Sequence, residues 1–208
     1  MSPRSLPASY FEQMYVESAD PWGFGTRWYE RRKYALTVAA LPRRRYRSAF
    51  EPGCSVGVLT ALLAARCDAI LATDVADAAL RTARTRLTDA DPRCTIEFRR
   101  WALGSPWPQR TFDLIVLSEV GYYLDADGWR AALDSAARAL DSGGTLVCAH
   151  WRHPVADYPQ TGDAVHDAVR GTTGLALTGT YVDTDFVLDV LAKTPPAPRS
   201  VAEAEGLV

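Results

Sequence analysis

Ser48–Arg66, SAFEPGCSVGVLTALLAAR, is the stretch on which the reading of the chain turns. A short apolar run, Ala49 and Phe50, ends at an acid, Glu51. Gly53, Ser55 and Gly57 follow, and an apolar-periodic helix opens at Val58. That order spells a strand, a tight loop and a helix. Small residues let the loop backbone turn sharply and approach a ligand with no Cβ in the way, and the helix start presents unpaired N–H groups. Glu51 chooses the ligand. A loop that cradles a pyrophosphate is opposed by a carboxylate at its entrance, whereas one that binds an ammonium group gains from it.

The glycine pattern alone also fits a plain turn beside an exposed acid. The next strand argues against that. Ala69–Thr73 (AILAT) is a second apolar run and ends at Asp74, about twenty residues on, the distance at which an acid closing the second strand of a βαβ unit grips both ribose hydroxyls. Two acids and a small-residue loop converge on one crevice. They suit a nucleoside with a cationic, amino-acid-like tail and no phosphate.

The pair EPGCSVG and LATDV resembles the first two motifs of the class I S-adenosylmethionine-dependent methyltransferases, with Ser55 in place of the middle glycine. DPWGFGTRWYERRKY (Asp20–Tyr34), FDLIVLSEVGYYL (Phe112–Leu124) and HWRHPVADYPQTGDAVH (His150–His166) together resemble the NodS-type enzymes. The resemblance implies S-adenosylmethionine as cofactor, S-adenosylhomocysteine as product, and N-methylation of an amino sugar in a chitin-like oligosaccharide. It places the cofactor against Glu51, Gly53, Cys54, Ser55, Gly57, Asp74, Val75, Ser118, Glu119 and Val120. Where the methyltransferase pattern has an acid for the adenine amino group, this chain has Trp101 and Ala102. Adenine recognition is then left to backbone groups, with Trp101 either stacking on the base or packed in the core.

A length of 208 residues suits one α/β domain, and 48% hydrophobic with 23% charged residues is ordinary globular composition. A net charge of −2 offers no long-range attraction to nucleic acid or an anionic membrane. Cys54, Cys67, Cys94 and Cys148 lack the close spacing of zinc or redox motifs and read as reduced thiols in a cytoplasmic protein. Neither a signal peptide nor a membrane span is expected, and the expected assembly is a monomer or homodimer.

In chain order, Ser9 and Glu12 form a capping box for a helix from Tyr10 to about Ser18. Thr26 caps a second helix, with Trp28, Ala35, Val38, Ala39 and Leu41 at helical spacing up to Pro42. The loop between them carries Trp22 and Phe24, as a lid or as an anchor. Arg43, Arg44, Arg45 and Arg47 read as a solvated cluster. Further helices are expected over Asp77–Ala90, from an Asp127 cap to Leu140, and over Asp163–Arg170. Further strands are expected at Thr95–Arg99, Phe112–Leu117, Thr145–Ala149, Leu175–Tyr181 and Phe186–Ala192. The result is a seven-stranded doubly wound Rossmann-like sheet with an antiparallel last strand. Residues 1–47 form a helical cap over the cofactor edge, 48–194 the core and 195–208 a mobile tail.

Ligands of open α/β sheets lie just outside strand carboxyl ends, which puts the reaction near Ser118–Tyr123 and His150–His166. Glu119, His150 and His153 are the candidate catalytic groups, because an amine acceptor needs its ammonium held or its proton taken. Trp22, Tyr122, Tyr123, Trp151, Arg152, Asp157 and Tyr158 suit the faces and hydroxyl edges of a sugar. The three histidines, His166 included, lack metal-ligand spacing, so no metal is expected. O-methylation of a small natural product, an NAD-dependent oxidoreductase and a non-catalytic nucleoside-binding module are the alternatives. Glu51 speaks against the oxidoreductase.

Overall fold

The structure is a computed structural model that describes residues 4–88 and 91–208. Its central sheet has seven strands in the order β3-β2-β1-β4-β5-β7-β6. These are β1 (Ala49–Pro52), β2 (Ala69–Asp74), β3 (Thr95–Arg100), β4 (Phe112–Ser118), β5 (Leu140–Trp151), β6 (Leu175–Val182) and β7 (Phe186–Lys193). The first five pair in parallel, and β7 runs antiparallel to both β5 and β6. The expected doubly wound architecture with an antiparallel last strand is the one observed. β4 is buried at every position, as a central strand covered on both faces must be.

Helices α3 (Val58–Ala64) and α4 (Asp77–Arg86) follow β1 and β2, and α5 (Ala126–Ala139) and α6 (Gly162–Arg170) flank β5 in sequence. Alternating side chains of the sheet feed two apolar layers. One gathers Leu59, Leu63, Ile70 and Leu80, and the other Phe50, Phe112, Trp129 and Leu133. The N-terminal helices α1 (Ala8–Glu17) and α2 (Trp28–Ala39) pack over the cleft edge.

Several helix starts differ from expectation. α1 begins after Pro7 with no side-chain cap, so the Ser9 box does not form. Arg27 rather than Thr26 precedes α2, Ala76 rather than Asp77 precedes α4, and Asp125 rather than Asp127 caps α5 by accepting the Gly128 N–H at 2.9 Å. Ser9, Asp77 and Asp127 lie one or two residues inside their helices, where the acids favour the dipole without closing the first turn, and Thr26 lies one residue before the N-cap. Asp89 and Ala90, the expected end of α4, lie outside the described residues.

The larger difference concerns α2. Of the apolar repeat, Trp28, Ala35 and Ala39 face solvent while Val38 packs against the core and Leu41 is buried in it, and the buried residues within α2 are Glu30, Lys33, Tyr34 and Thr37. The arginine run is not simply solvated either. Arg45 reaches the carbonyls of Cys67 and Arg93, Arg47 pairs with Asp141 at 3.0 Å, and Arg43 donates to the Gly143 carbonyl at 2.6 Å. The run staples loops at the end of the sheet away from the cleft. In the tail, Ser200 and Glu203 form a capping box on a one-turn helix α7 (Val201–Ala204), and Arg44 meets Glu205 at 3.0 Å. Residues 195–208 therefore carry structure that their proline content did not announce.

Candidate active site

A cavity of about 360 Å³ opens above the carboxyl ends of β1, β2 and β4. Glu51, Gly53, Cys54, Ser55, Asp74, Val75, Trp101, Ala102, Ser118, Glu119 and Val120 line its floor and walls. Phe11, Tyr15, Trp22, Phe24 and Tyr34 close it from the N-terminal side. Gly53 has φ +73°, and a Cβ there would stand 2.5 Å from Val120 Cγ1, so the close approach of the two strand ends requires glycine. Ser55 holds φ +50°, a left-handed conformation that a serine adopts at some cost. Its hydroxyl bonds Tyr15 Oη, and its N–H donates to Asp74 Oδ2 at 2.9 Å.

Both acids are buried at this loop. Glu51 Oε2 accepts the Thr60 hydroxyl at 2.6 Å. Burial pushes the Glu51 carboxyl up to about 8, against the Thr60 hydrogen bond and with help from nearby Asp74. Asp74 accepts the N–H groups of Ser55 and Ala76, each at 2.9 Å. Its pKa is also raised, by burial that those hydrogen bonds only partly offset. Two carboxyls held out of water and short of cations favour a ligand that brings positive charge and hydroxyl donors.

S-adenosylmethionine fits these residues. The small-residue loop leaves room for a backbone approach, Glu51 faces the place for an ammonium, and Asp74 stands at the end of β2 as a ribose acid does. The Ser118 hydroxyl is buried without a partner among the described residues and lines the same cavity. Trp101 also lines it, with its ring edge-on to Phe50 at 5.4 Å and its Nε1 donating to the Pro106 carbonyl at 3.0 Å. Trp101 therefore packs on Phe50 and also borders the cavity.

At the acceptor side, Glu119 follows β4 with φ +59°. Its Oε1 lies 2.6 Å from Lys33 Nζ, and its Oε2 accepts the Tyr122 hydroxyl and the Trp151 N–H. Lys33 also lies 2.8 Å from Glu30 Oε2. Tyr123 lines the cavity beside them, backed by the Tyr158 hydroxyl at 3.4 Å.

Other expected residues stand elsewhere. His150 is fully buried behind the site. Its Nε2 accepts the Gly121 N–H at 3.0 Å, and its Nδ1 lies 3.0 Å from His166 Nε2, whose Nδ1 lies 2.7 Å from Asp189. His150 therefore reaches no ligand in the cavity. His153 pairs with Asp185 at 2.9 Å on a separate surface depression shared with Arg152, because the chain leaves the sheet edge after Trp151. Arg152 is held by Asp163, and Trp151 packs on Tyr29. Tyr122, Tyr158, Asp157 and Gly57 do not line the cavity, Tyr122 being turned inward onto Glu119. The unanticipated members are Lys33, Glu30, Tyr15, Tyr34 and Phe11. For Lys33 and Glu30 a signal existed: opposite charges three apart in a helix whose exposed face was already charged by Arg31 and Arg32.

The family model for nodulation protein S matches residues 11–162. The chain belongs to the NodS family. The nodulation protein S of Rhizobium tropici is 31% identical over 144 residues, a match that covers 64% of this chain and 59% of that protein. A solved Pseudomonas syringae protein, a methyltransferase by assignment only, is 42% identical with a TM-score of 0.68 over 80% of this chain and all of its own. The N-methyltransferase NodS of Bradyrhizobium japonicum, solved with S-adenosylhomocysteine, superposes with a TM-score of 0.79 at 22% identity over 89% of this chain and 98% of its own. At that identity the superposition establishes the shared fold, the Rossmann-like methyltransferase fold, for this NodS-family chain.

Proposed function

We propose that this protein is an S-adenosylmethionine-dependent N-methyltransferase whose acceptor is the amine of a small molecule, an amino sugar or a partly deacetylated chitooligosaccharide. The observation that carries the reading is the pairing of buried Glu51 and Asp74 around a small-residue loop in a NodS-family fold. The cofactor supplies a methyl group already activated on a sulfonium. The protein's own work is then binding and orientation, which can contribute several kcal/mol. Glu51 holds the cationic tail, Asp74 the ribose hydroxyls, and Tyr15, Trp22 and Phe24 keep water from the cleft. Tyr123 and Trp22 offer flat apolar walls to a sugar ring.

Incubation with isotopically labelled cofactor and a panel of amines and matched hydroxyl compounds, read by mass spectrometry, tests it. Label on the nitrogen of a glucosamine-bearing oligosaccharide is the expected result. Label on hydroxyl acceptors alone would make the enzyme an O-methyltransferase, and cofactor binding without transfer to any acceptor would make it a nucleoside-binding module.

A further inference from the structure

The buried charges of α2 do not line the cleft themselves, yet they adjoin it through Glu119. Lys33 is 1% exposed, with Nζ between Glu119 Oε1 at 2.6 Å and Glu30 Oε2 at 2.8 Å. The rings of Phe24, Tyr29 and Tyr34 surround it at 6.0, 5.0 and 5.2 Å. With both acids ionised the trio carries one net negative charge. Glu119 alone of the three lines the cavity.

A carboxylate offers about four lone-pair positions. Three are taken on Glu119, by Lys33, the Tyr122 hydroxyl and the Trp151 N–H. One remains for a donor in the cleft. Beside it, the Ser118 hydroxyl is buried, lines the cavity and has no partner among the described residues. The Tyr29 hydroxyl is likewise buried and unpaired. A carboxyl with a free lone-pair position next to an orphaned hydroxyl offers a polar ligand group two partners in the cleft.

We propose that Glu119 receives the acceptor nitrogen and favours an amine over a hydroxyl, and that Lys33, itself anchored by Glu30, is the positioning residue that aims it. This rests on the methyltransferase reading above. In the transfer the nitrogen lone pair becomes the new N–C bond, the electrons of the broken C–S bond stay on sulfur, and the positive charge passes from sulfur to nitrogen. No proton moves in that step. A preorganised carboxylate at the nitrogen stabilises charge where it develops. Methylation of a hydroxyl reaches a neutral ether only if a base takes the hydroxyl proton, so there Glu119, with three of its lone-pair positions already occupied, would have to accept a proton rather than hold a charge. The left-handed backbone of Glu119 fits such a role, since strain of this kind persists where the surroundings fix a side chain.

Glu119→Gln keeps the shape and one acceptor oxygen for Lys33 while removing the charge and the acceptor of the Trp151 N–H. It is expected to lower kcat with amine acceptors at least about a hundredfold, and to weaken calorimetric binding of the amine to the S-adenosylhomocysteine complex about tenfold, a larger loss than that of S-adenosylhomocysteine itself. Lys33→Met is expected to lower kcat with little change in the KM for S-adenosylmethionine, and Lys33→Arg to recover a substantial part of it. If Lys33→Met does not fold, Lys33→Arg against wild type decides, a kcat loss with unchanged cofactor affinity being the expected result. Wild-type transfer to hydroxyl compounds only would overturn the amine reading itself. Wild-type transfer to amines that Glu119→Gln and the soluble Lys33 variants retain within threefold would overturn this inference alone and leave the trio as a brace between α2 and β4.

Discussion

Asp74 is the residue whose removal speaks most simply. Its two oxygens already accept the Ser55 and Ala76 N–H groups, so the carboxylate is oriented before any ligand arrives. Asp74→Ala strands those donors as well as the ribose hydroxyls, and calorimetry should show S-adenosylhomocysteine bound more weakly by about 1–3 kcal/mol. Glu51 makes a pH-dependent prediction. With its carboxyl near 8 in the free protein, most molecules hold the proton at neutral pH, and a cationic tail must displace it. Cofactor binding at pH 7 should therefore release close to one proton, seen as a dependence of binding heat on buffer ionisation enthalpy, and affinity should rise up to about pH 8. Glu51→Gln should abolish both effects. The sign for stability is opposite. The unfolded carboxyl loses its proton near 4.5 and the folded one near 8, so between these values rising pH weakens the free protein by at most about 1.4 kcal/mol per unit. These acids were legible in the sequence because strand-ending acids beside small residues leave few chemical options.

At the scale of elements, the turn from β4 into the 3₁₀ segment Gly121–Tyr123 depends on a chain of side chains beneath it. The Gly121 N–H can only donate, so His150 Nε2 carries no hydrogen and its Nδ1 must donate to His166, which in turn donates to Asp189. Both rings are thereby fixed as the Nδ1–H tautomer. His150→Phe should strand Gly121 and His166 and destabilise the protein by about 1–3 kcal/mol for each group, measured by chemical denaturation. Burial first, then the neighbouring His166, holds the His150 pKa well below 6.5. The unfolded state therefore takes up the proton first, and wild-type stability should fall as pH drops below about 6.5. The sequence placed the strands and the parallel core because apolar runs bounded by acids and glycines are local signals. It misplaced helix caps by one or two residues, and it misread the buried face of α2 at Trp28, Ala35 and Ala39. There the apolar spacing of Trp28 and Ala35 lost to partners near residues 119 and 150, which no local pattern reveals. His150 was misread for the same reason: its partner on α6 turns it inward.

Over the whole molecule, the cofactor half of the cleft was readable and the acceptor half was not. The first is written in one continuous loop and one strand end. The second is assembled from the turn after β4, the far end of β5 and α2, the last of which lies more than eighty residues before the other two. The account makes the cleft a receptor for a cationic nucleoside. A crystal structure of the complex with S-adenosylhomocysteine tests that most directly. The predicted result is an amino-acid tail over Gly53–Ser55 facing Glu51, with both ribose hydroxyls on Asp74. A ligand bound outside this cavity, or lying in it with its ribose away from Asp74, would contradict the account.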